Sequence, residues 1–227
     1  MGALFDLPRR RIAPGAVHVP GWLSLPGQRE LVRACRGWAA GPVPMRRIRM
    51  PGGHFMSVRT VCLGWHWQPY RYSRTAEDAG GLPVAPLPGW LAELGRAAVA
   101  EACADDPEAG AAAEGYSPDV ALINFYDASA RMGMHQDKDE RSAAPVVSLS
   151  LGDSCLFRFG TPASRGGPYT DVQLASGDLF VFGGPSRLAY HGVPKVYPGT
   201  ADPELGMSGG RLNITLRVSG LKDAAES

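Results

Sequence analysis

The sequence has few lysines, few cysteines and no long apolar run. Of its 227 residues 3 are lysine, against 20 arginines, and its 4 cysteines are scattered without a CxxC pair. This cysteine pattern argues against a disulfide framework or a zinc knuckle and favours a reducing cytoplasm. No run of eighteen apolar residues occurs, and the first residues lack the features of a secretory signal. We therefore expect no membrane segment and a cytoplasmic location.

Negative charge is scarce in the first third of the chain. Residues 1–75 hold twelve arginines but only two acids, Asp6 and Glu30, for a net charge of +10, whereas residues 76–227 carry −9. A block this basic can attract a polyanion although the whole chain has a net charge of only +1. The alternative is an arginine-rich surface that has no partner.

The residues that are abundant point to a β-rich fold. The 29 glycines and 20 prolines favour many turns and short strands over long helices. Apolar spacing and composition predict one helix over 26–40 and another over 89–102. From residue 119 onward, short apolar or alternating segments separated by turns predict a sandwich or jelly roll. These segments are DVALINFY, PVVSLSLG, SCLFRFG, YTDVQLAS, DLFVFGG, LAYHGVPKV and RLNITLRVSG.

Two histidines and an aspartate suggest a metal site. His135 and Asp137 are two residues apart, so on an extended chain their side chains point the same way. His191 follows after enough residues for about five short strands, and a jelly roll returns a late strand beside an early one. Two imidazoles and one carboxylate with open coordination positions are typical of non-haem Fe(II) oxygenases. The alternative for His135 and Asp137 is a His-x-Asp triplet that occurs by chance, and the alternative for His191 is a hydrogen-bonded structural histidine.

The segment RLNITLR alternates between polar and apolar residues. Its polar face consists of Arg211, Asn213, Thr215 and Arg217. We expect this face to line the barrel interior and the apolar face to pack outward against the second sheet. Arginines inside a barrel are costly unless anions pair with them. Asn124 and Tyr126 of VALINFY add hydrogen-bonding groups, so the two strands predict a pocket for a small dicarboxylate. The alternative is an edge strand whose arginines face water.

A metal with open positions beside such a pocket suggests a 2-oxo acid cosubstrate, and the chain closely resembles the AlkB family of Fe(II)/2-oxoglutarate-dependent nucleic-acid dealkylases. The resemblance covers about residues 50–220 and rests on LINFY, HQDKDE, PVVSLSLG, FRFG, GDLFVFGG, SRLAYHG and the closing R-x-N-x-T-x-R. It implies a mainly β fold with flanking helices and a double-stranded β-helix (jelly-roll) core. The core would span 119–220, after an N-terminal extension with an α/β nucleotide-recognition lid (1–118) and before a C-terminal tail (221–227).

The same resemblance implies roles for the residues of the core. The iron ligands, which form the catalytic centre, would be His135, Asp137 and His191. The distal carboxylate of 2-oxoglutarate would be held by Arg211 and Tyr126. The residues near the iron-bound end of the cosubstrate would be Arg217, Asn124 and Asn213. Dioxygen is the second cosubstrate that the resemblance implies.

The segment MSVRTVCLGWHWQPYRYS resembles the recognition lid of the family. Trp65 would stack on the damaged base opposite His191, with a core tryptophan as the alternative. Asp139 would accept a hydrogen bond from an exocyclic amine of the base, with a solvated loop acid as the alternative. The remaining substrate contacts implied are Tyr70 and Tyr72, on the neighbouring backbone or cosubstrate channel, and Arg165, on the nucleic acid. The lid is shorter than the family pattern, and Trp67 is an additional aromatic.

The activity that the resemblance implies is oxidative demethylation of bases such as 1-methyladenine and 3-methylcytosine, with release of formaldehyde, succinate and CO2. The implied partner is alkylated DNA or RNA. Single strands are favoured, because extruding a base from a duplex costs a few kcal/mol, and a monomer is expected. One alternative is an oxygenase of the same type that acts on a small molecule or a protein. The other is a non-catalytic cupin-like module, which would release no formaldehyde from any substrate.

Overall fold

The computed structural model describes residues 8–104, 106–110 and 113–222. One sheet consists of β1 (Arg10–Ala13), β2 (Ala16–Val19), β3 (Arg46–Arg49), β4 (Phe55–Leu63), β9 (Val120–Tyr126), β11 (Val146–Gly152), β14 (Leu179–Phe182) and β16 (Arg211–Arg217). A second sheet consists of β10 (Met132–His135), β12 (Ser154–Phe159), β13 (Thr170–Leu174) and β15 (His191–Tyr197). Two hairpins pair β5 (His66–Gln68) with β6 (Arg71–Ser73) and β7 (Thr75–Ala76) with β8 (Leu82–Pro83). Within the described ranges the helices are α1 (Leu25–Ala39), α2 (Gly89–Cys103) and four short 3-10 turns at Glu77–Ala79, Pro107–Gly110, Gly184–Ser186 and Pro203–Leu205.

The two large sheets form the layers of a jelly roll. The major sheet has the strand order β1-β2-β14-β11-β16-β9-β4-β3, and the minor sheet has the order β10-β15-β12-β13. Phenylalanines of both sheets meet between the layers, where Phe157 of β12 lies edge-on to Phe180 of β14 with ring centroids 4.9 Å apart. The predicted mainly β fold with flanking helices and a jelly-roll core is confirmed.

Both predicted helices are present, and they cover the outer face of the major sheet. Helix α1 begins after Ser24, whose side chain accepts a hydrogen bond from the backbone N–H of Gly27, and Pro26 occupies its first turn. Leu31 of α1 and Leu91 of α2 are buried in the core that the helices share with the sheet. Within the described part of the chain, no helix is long and apolar enough to cross a membrane.

The seven strands predicted after residue 119 are all present, but three other strands were missed as such. Strands β1 and β2 extend the major sheet from residues that carried no prediction. Strand β10 is only four residues long and contains Gly133, and its register against β15 is irregular between Met132 and His135. A strand this short shows too little alternation to be recognised from sequence.

The prediction for the faces of β16 was half right. Its polar residues line the space between the sheets, as expected. Its apolar residues, Leu212, Ile214 and Leu216, belong to the core that contains residues of α1 and α2. The expectation that they pack against the second sheet is therefore wrong, because the second sheet lies on the polar side and the helices occupy the apolar side.

The two halves of the sequence are joined by one sheet and by ion pairs. In the major sheet the four strands from after residue 118 lie in the centre, and strands from before it, β1-β2 at one edge and β4-β3 at the other, flank them. Arginines of the basic block pair with later acids, as in Arg9–Glu101, Arg11–Asp106, Arg29–Glu204, Arg46–Asp78 and Arg47–Asp127. Pairs of this kind, in which solvent reaches at least one of the two side chains, contribute about 1 kcal/mol or less each. The block therefore offers fewer free cations to a polyanion than its net charge suggests.

Candidate active site

Neighbouring strands bring the three predicted metal ligands together. In the antiparallel pair of β10 and β15, His135 lies directly opposite His191, with ring centroids 4.4 Å apart. Gly192 permits this close approach, because a Cβ there would lie 2.7 Å from the carbonyl oxygen of Met132. Asp137 follows β10, and its carboxylate reaches both rings: Oδ1 is 3.5 Å from Nε2 of His135 and Oδ2 is 3.6 Å from Nε2 of His191.

Hydrogen bonds orient both imidazoles for a metal ion. Nδ1 of His135 donates to the carbonyl oxygen of Gly133 over 2.9 Å, and Nδ1 of His191 donates to that of Ala189 over 2.9 Å. Each ring thus keeps its Nε2 lone pair free, and one ligand atom from each of the three residues lies within 4.8 Å of the others. Metal-binding histidines usually donate their second ring N–H in this way. The donor set fits Fe(II).

Burial and charge favour the metal-binding forms of Asp137 and His191. Burial opposes ionisation of Asp137, but Arg217 and the two imidazoles outweigh it and hold the pKa of this carboxyl well below its usual range. Burial and the nearby His135 lower the pKa of His191 from 6.5 to about 4. At neutral pH the carboxylate is therefore ionised and the His191 ring is neutral, which are the forms that bind a metal.

A polar pocket beside the ligands contains arginine donors without partners. Arg211 is 1% exposed, and its Nη2 donates to Oγ of Ser150 over 3.0 Å, while its Nε and Nη1 have no hydrogen-bond partner among the described residues. Nε of the buried Arg217 likewise has no partner in the part of the chain that the structure describes. Tyr126 lies opposite Arg211 in the strand pairing and lines the same pocket. A buried guanidinium with free donors is costly unless an anion binds it. The pocket therefore fits the carboxylate groups of 2-oxoglutarate.

The two predicted asparagines face each other across β9 and β16, with different hydrogen bonds. Thr60 donates to Oδ1 of Asn124 over 2.7 Å, which leaves the amide nitrogen of Asn124 available to the pocket. Asn213 donates to Oγ of Ser148 over 2.7 Å and accepts from Thr215 over 2.9 Å. Asn213 thus lines the pocket but uses much of its hydrogen-bonding capacity on its neighbours in the sheet.

Trp65 does not reach this site. Its side chain is 6% exposed within a small apolar cluster, and its Nε1 donates to Oδ2 of Asp119 over 2.9 Å. The guanidinium of Arg74 covers its ring at 3.8 Å from the centroid. A ring enclosed in this way is not free to stack on a base opposite His191. The prediction for Trp65 is therefore corrected: it is a core tryptophan, which was the alternative.

Trp67 is the aromatic residue of the lid that faces the metal ligands. It lines the cavity that also contains His135 and Asp137. Its Nε1 donates to Oδ2 of Asp139 over 2.8 Å, and Asp139 lines the same cavity. Asp139 is thus not a solvated loop acid, and it keeps Oδ1 as a further acceptor. The lid brings an aromatic ring to the site, as predicted, but through a different residue.

The other three predicted substrate contacts lie in two places. Tyr70, with a φ of 72° and 70% exposure, lies at the turn between β5 and β6. Arg165 lines the same open groove of about 730 Å³ as Tyr70, at the mouth of the site. Tyr72 is instead part-buried, and its hydroxyl donates to Oε1 of Glu140. The structure therefore brings Tyr70 and Arg165 to the groove and Tyr72 to a polar network behind the metal ligands.

Several residues of the site were missed from the sequence. Glu140 and Arg187 form a buried ion pair behind Asp137, with an N–O distance of 3.0 Å. Ser150 and Thr60 anchor Arg211 and Asn124. The motif HQDKDE did contain Glu140, but a charged residue in a polar loop normally indicates exposure to solvent.

Comparisons with known proteins agree with this geometry. A family model described as "2OG-Fe(II) oxygenase superfamily" matches residues 15–217. The alpha-ketoglutarate-dependent dioxygenase AlkB homolog of Caulobacter vibrioides is 38% identical over 216 residues, which cover 91% of this chain and 88% of the relative. The DNA N(6)-methyladenine demethylase ALKBH1D of Arabidopsis thaliana is 33% identical over 226 residues, which cover 91% of this chain and 50% of the relative.

The solved structure of OsALKBH1 superimposes with a TM-score of 0.81 at 31% identity, covering 93% of this chain and 100% of that chain. Fe(II), 2-oxoglutarate and O2, the cofactor and cosubstrates of the superfamily, agree with the His135–Asp137–His191 cluster. The predicted family, enzyme class and cofactors are thereby confirmed. This chain belongs to the AlkB family of Fe(II)/2-oxoglutarate-dependent dioxygenases.

Proposed function

We propose that this protein repairs alkylated nucleic acid by oxidative demethylation of bases methylated on a ring nitrogen. The observation that carries the proposal is the Trp67–Asp139 pair beside the metal ligands. Bound Fe(II) and 2-oxoglutarate supply the oxidation, in which O2 is consumed, 2-oxoglutarate becomes succinate and CO2, and the methyl group leaves as formaldehyde. The names of the two relatives, an AlkB dioxygenase and a DNA demethylase, support the same reaction.

Residues of the jelly roll would bind the cofactor and cosubstrate. The iron ligands would be His135, Asp137 and His191. The free donors of Arg211, with the Tyr126 hydroxyl, would bind the distal carboxylate of 2-oxoglutarate. The groups near the iron-bound end of 2-oxoglutarate would be Nε of Arg217 and the side-chain amides of Asn124 and Asn213. Positioning and electrostatics are the tasks of the protein, whereas the oxidation belongs to the cofactor.

Trp67 and Asp139 would recognise the base. Stacking of a base on an aromatic ring contributes about 1–3 kcal/mol and tolerates any base. Asp139, as an acceptor, selects a base that presents an amino group, and adenine and cytosine do so through N6 and N4. In 1-methyladenine and 3-methylcytosine this amine adjoins the methylated ring nitrogen, so recognition of the amine brings the methyl group near the metal. A base that presents a carbonyl at that edge would place its oxygen against the Asp139 carboxylate, and two acceptors cannot form a hydrogen bond with each other.

The groove at the mouth of the site would hold the neighbouring nucleotides. Arg131, Lys138 and Arg165 line it and supply positive charge, and Tyr70 adds an exposed ring. An open groove beside a deep base cavity suits a single strand, whose bases need no extrusion from a duplex. We further propose that the protein acts as a monomer in the cytoplasm, where its four free cysteines would remain reduced.

The test is mass spectrometry of single-stranded oligonucleotides that carry 1-methyladenine, 3-methylcytosine or 3-methylthymine, incubated with Fe(II), ascorbate and 2-oxoglutarate. We expect loss of the methyl mass from the first two and much less from the third, and no loss with His135→Ala. Succinate formed only with small metabolites would instead favour the small-molecule alternative. Iron and 2-oxoglutarate binding without formaldehyde from any substrate would favour the binding module.

A further inference from the structure

We propose that Glu140 is a positioning residue. It binds the same two arginines that hold Asp137, and it thereby keeps the Asp137 carboxylate available to the metal. Glu140 lies behind the metal ligands, with its side chain wholly buried. Its Oε1 accepts from Nη1 of Arg217 over 2.9 Å, and its Oε2 accepts from Nη2 of Arg187 over 3.0 Å. The Tyr72 hydroxyl donates to Oε1 as well.

Both arginines that Glu140 binds also hold Asp137. Nη2 of Arg217 lies 2.7 Å from Oδ2 of the Asp137 carboxylate. Nη1 of Arg187 donates to the backbone carbonyl oxygen of Asp137 over 2.6 Å. Arg217 grips the side chain and Arg187 the main chain, so the position of this metal ligand depends on two guanidinium groups that meet at Glu140.

The charges of this network balance only while Glu140 is ionised. Two carboxylates, of Asp137 and Glu140, face two guanidinium groups in a buried space. Burial opposes ionisation of Glu140, but Arg217 outweighs it and lowers the pKa of this carboxyl below its usual value. Without the charge of Glu140, the two guanidinium groups would be compensated by Asp137 alone. Arg217 would then compete with the metal for Oδ2, and an extra positive charge would repel the incoming cation.

Glu140 does not take part in the contacts proposed for the base. It is not among the residues that line the two cavities beside the metal ligands, whereas its neighbour Asp139 is. The role of Glu140 therefore needs no nucleic acid, and it is independent of the proposed substrate.

The test is anaerobic titration of the folded protein with Fe(II) in the presence of 2-oxoglutarate, followed by the charge-transfer absorption of the ternary complex. We expect Glu140→Gln to weaken Fe(II) binding by about 10- to 100-fold, as is usual for partners of metal ligands. Asp139→Asn removes the same charge one residue away without touching Arg217, so its titration should stay close to that of the wild type. Tyr72→Phe removes one hydrogen bond to Glu140 and one from Nη1 of Arg217 but no charge, and it should also bind Fe(II) nearly normally.

Unchanged Fe(II) affinity in Glu140→Gln would overturn the proposal, and so would an equal loss in Asp139→Asn, which would point to a general charge effect. Should Glu140→Gln fail to fold, Glu140→Asp keeps the charge but is one methylene too short to reach both arginines. That variant should fold and bind Fe(II) measurably more weakly, and wild-type binding by Glu140→Asp would equally refute the positioning role.

Discussion

Nε1 of Trp67 donates a hydrogen bond to Oδ2 of Asp139 over 2.8 Å, and this bond ties the β5–β6 hairpin to the loop that follows the metal ligands. Because the two residues restrain each other, the ring and the carboxylate present a stacking surface and an acceptor at a fixed spacing. Preorganisation of this kind reduces the entropy lost when a ligand binds.

The two lid tryptophans are expected to separate activity from stability. Trp67→Ala removes the stacking surface, so kcat/KM for a methylated oligonucleotide should fall by roughly 5- to 150-fold, equivalent to about 1–3 kcal/mol. Trp65→Ala leaves a cavity in the core and should lower the free energy of unfolding by about 3–5 kcal/mol. Urea unfolding and demethylation assays of both variants make the comparison.

Trp67→Phe is the matched control, since it keeps an aromatic face but loses the bond to Asp139. We expect it to retain more activity than Trp67→Ala. If Trp65→Ala lost activity without losing stability, the assignment of the two tryptophans would be reversed.

Arg211 is expected to determine the affinity for 2-oxoglutarate. Two of its buried nitrogens lack partners within residues 8–104, 106–110 and 113–222, so Arg211→Gln should remove charge-assisted hydrogen bonds to the cosubstrate worth about 1.5–3 kcal/mol. The KM for 2-oxoglutarate should rise by roughly 10- to 150-fold, as measured by succinate formation at increasing cosubstrate. Ser150→Ala removes only the anchor of Nη2 and should raise this KM much less. An unchanged KM in Arg211→Gln would place the distal carboxylate elsewhere.

The arginine pocket was predictable from sequence because alternation along a strand is a local property. A two-residue period puts Arg211, Asn213 and Arg217 on one face of RLNITLR, and the paired strand brings Tyr126 opposite Arg211 and Asn124 opposite Asn213. The metal ligands were predictable for a similar reason, since His135 and Asp137 are close in sequence. Only the position of His191 beside these two residues required an assumption about topology, namely that a jelly roll returns a late strand beside an early one.

The lid and the buried network were not predictable, because both depend on contacts between distant segments. Gly64 has a φ of +77°, and a Cβ there would lie 1.8 Å from the carbonyl oxygen of Asp119, so the chain turns sharply just before Trp65. That turn decides which tryptophan enters the core, and no periodicity in the sequence predicts it. The partners that bury Glu140 are Tyr72, Arg187 and Arg217, which come from three distant segments of the chain. The spacing of residues in the sequence does not show that these segments meet.

The salt dependence of nucleic-acid binding is expected to follow the groove rather than the basic block. Arg131 and Arg165 line the groove, whereas Arg29 of the block pairs with Glu204 at 2.6 Å. Removing one cation that binds a phosphate should reduce the slope of log K against log salt by about 0.7 for a single strand. Fluorescence titration of a methylated oligonucleotide at several salt concentrations should show this reduction for Arg131→Ala and Arg165→Ala. Arg29→Ala should leave the slope unchanged, and an equal reduction in that variant would restore a role for the block.

Asp78 should make the stability of the lid region depend on pH in the acid range. It lies between Arg46, at 2.6 Å, and His66, at 2.7 Å. Burial would raise its pKa, but hydrogen bonds from Arg46 and its other neighbours outweigh burial and lower the pKa from 3.8 to about 2. A carboxyl whose pKa is lower in the folded state stabilises the protein above its unfolded pKa, and this stabilisation is lost as the pH falls towards the folded value.

We therefore expect Asp78→Asn to be less stable than the wild type by a constant amount between pH 6 and 8, and the difference to shrink as the pH falls from about 5 to about 3. The difference should be about 1 kcal/mol or less at neutral pH, since the side chain is 34% exposed and solvent screens the pair. Urea unfolding across this pH range measures it, and a double-mutant cycle with Arg46→Gln isolates the ion pair. A coupling energy that stayed constant down to pH 3 would mean that the ionisation of Asp78 contributes nothing to the pair.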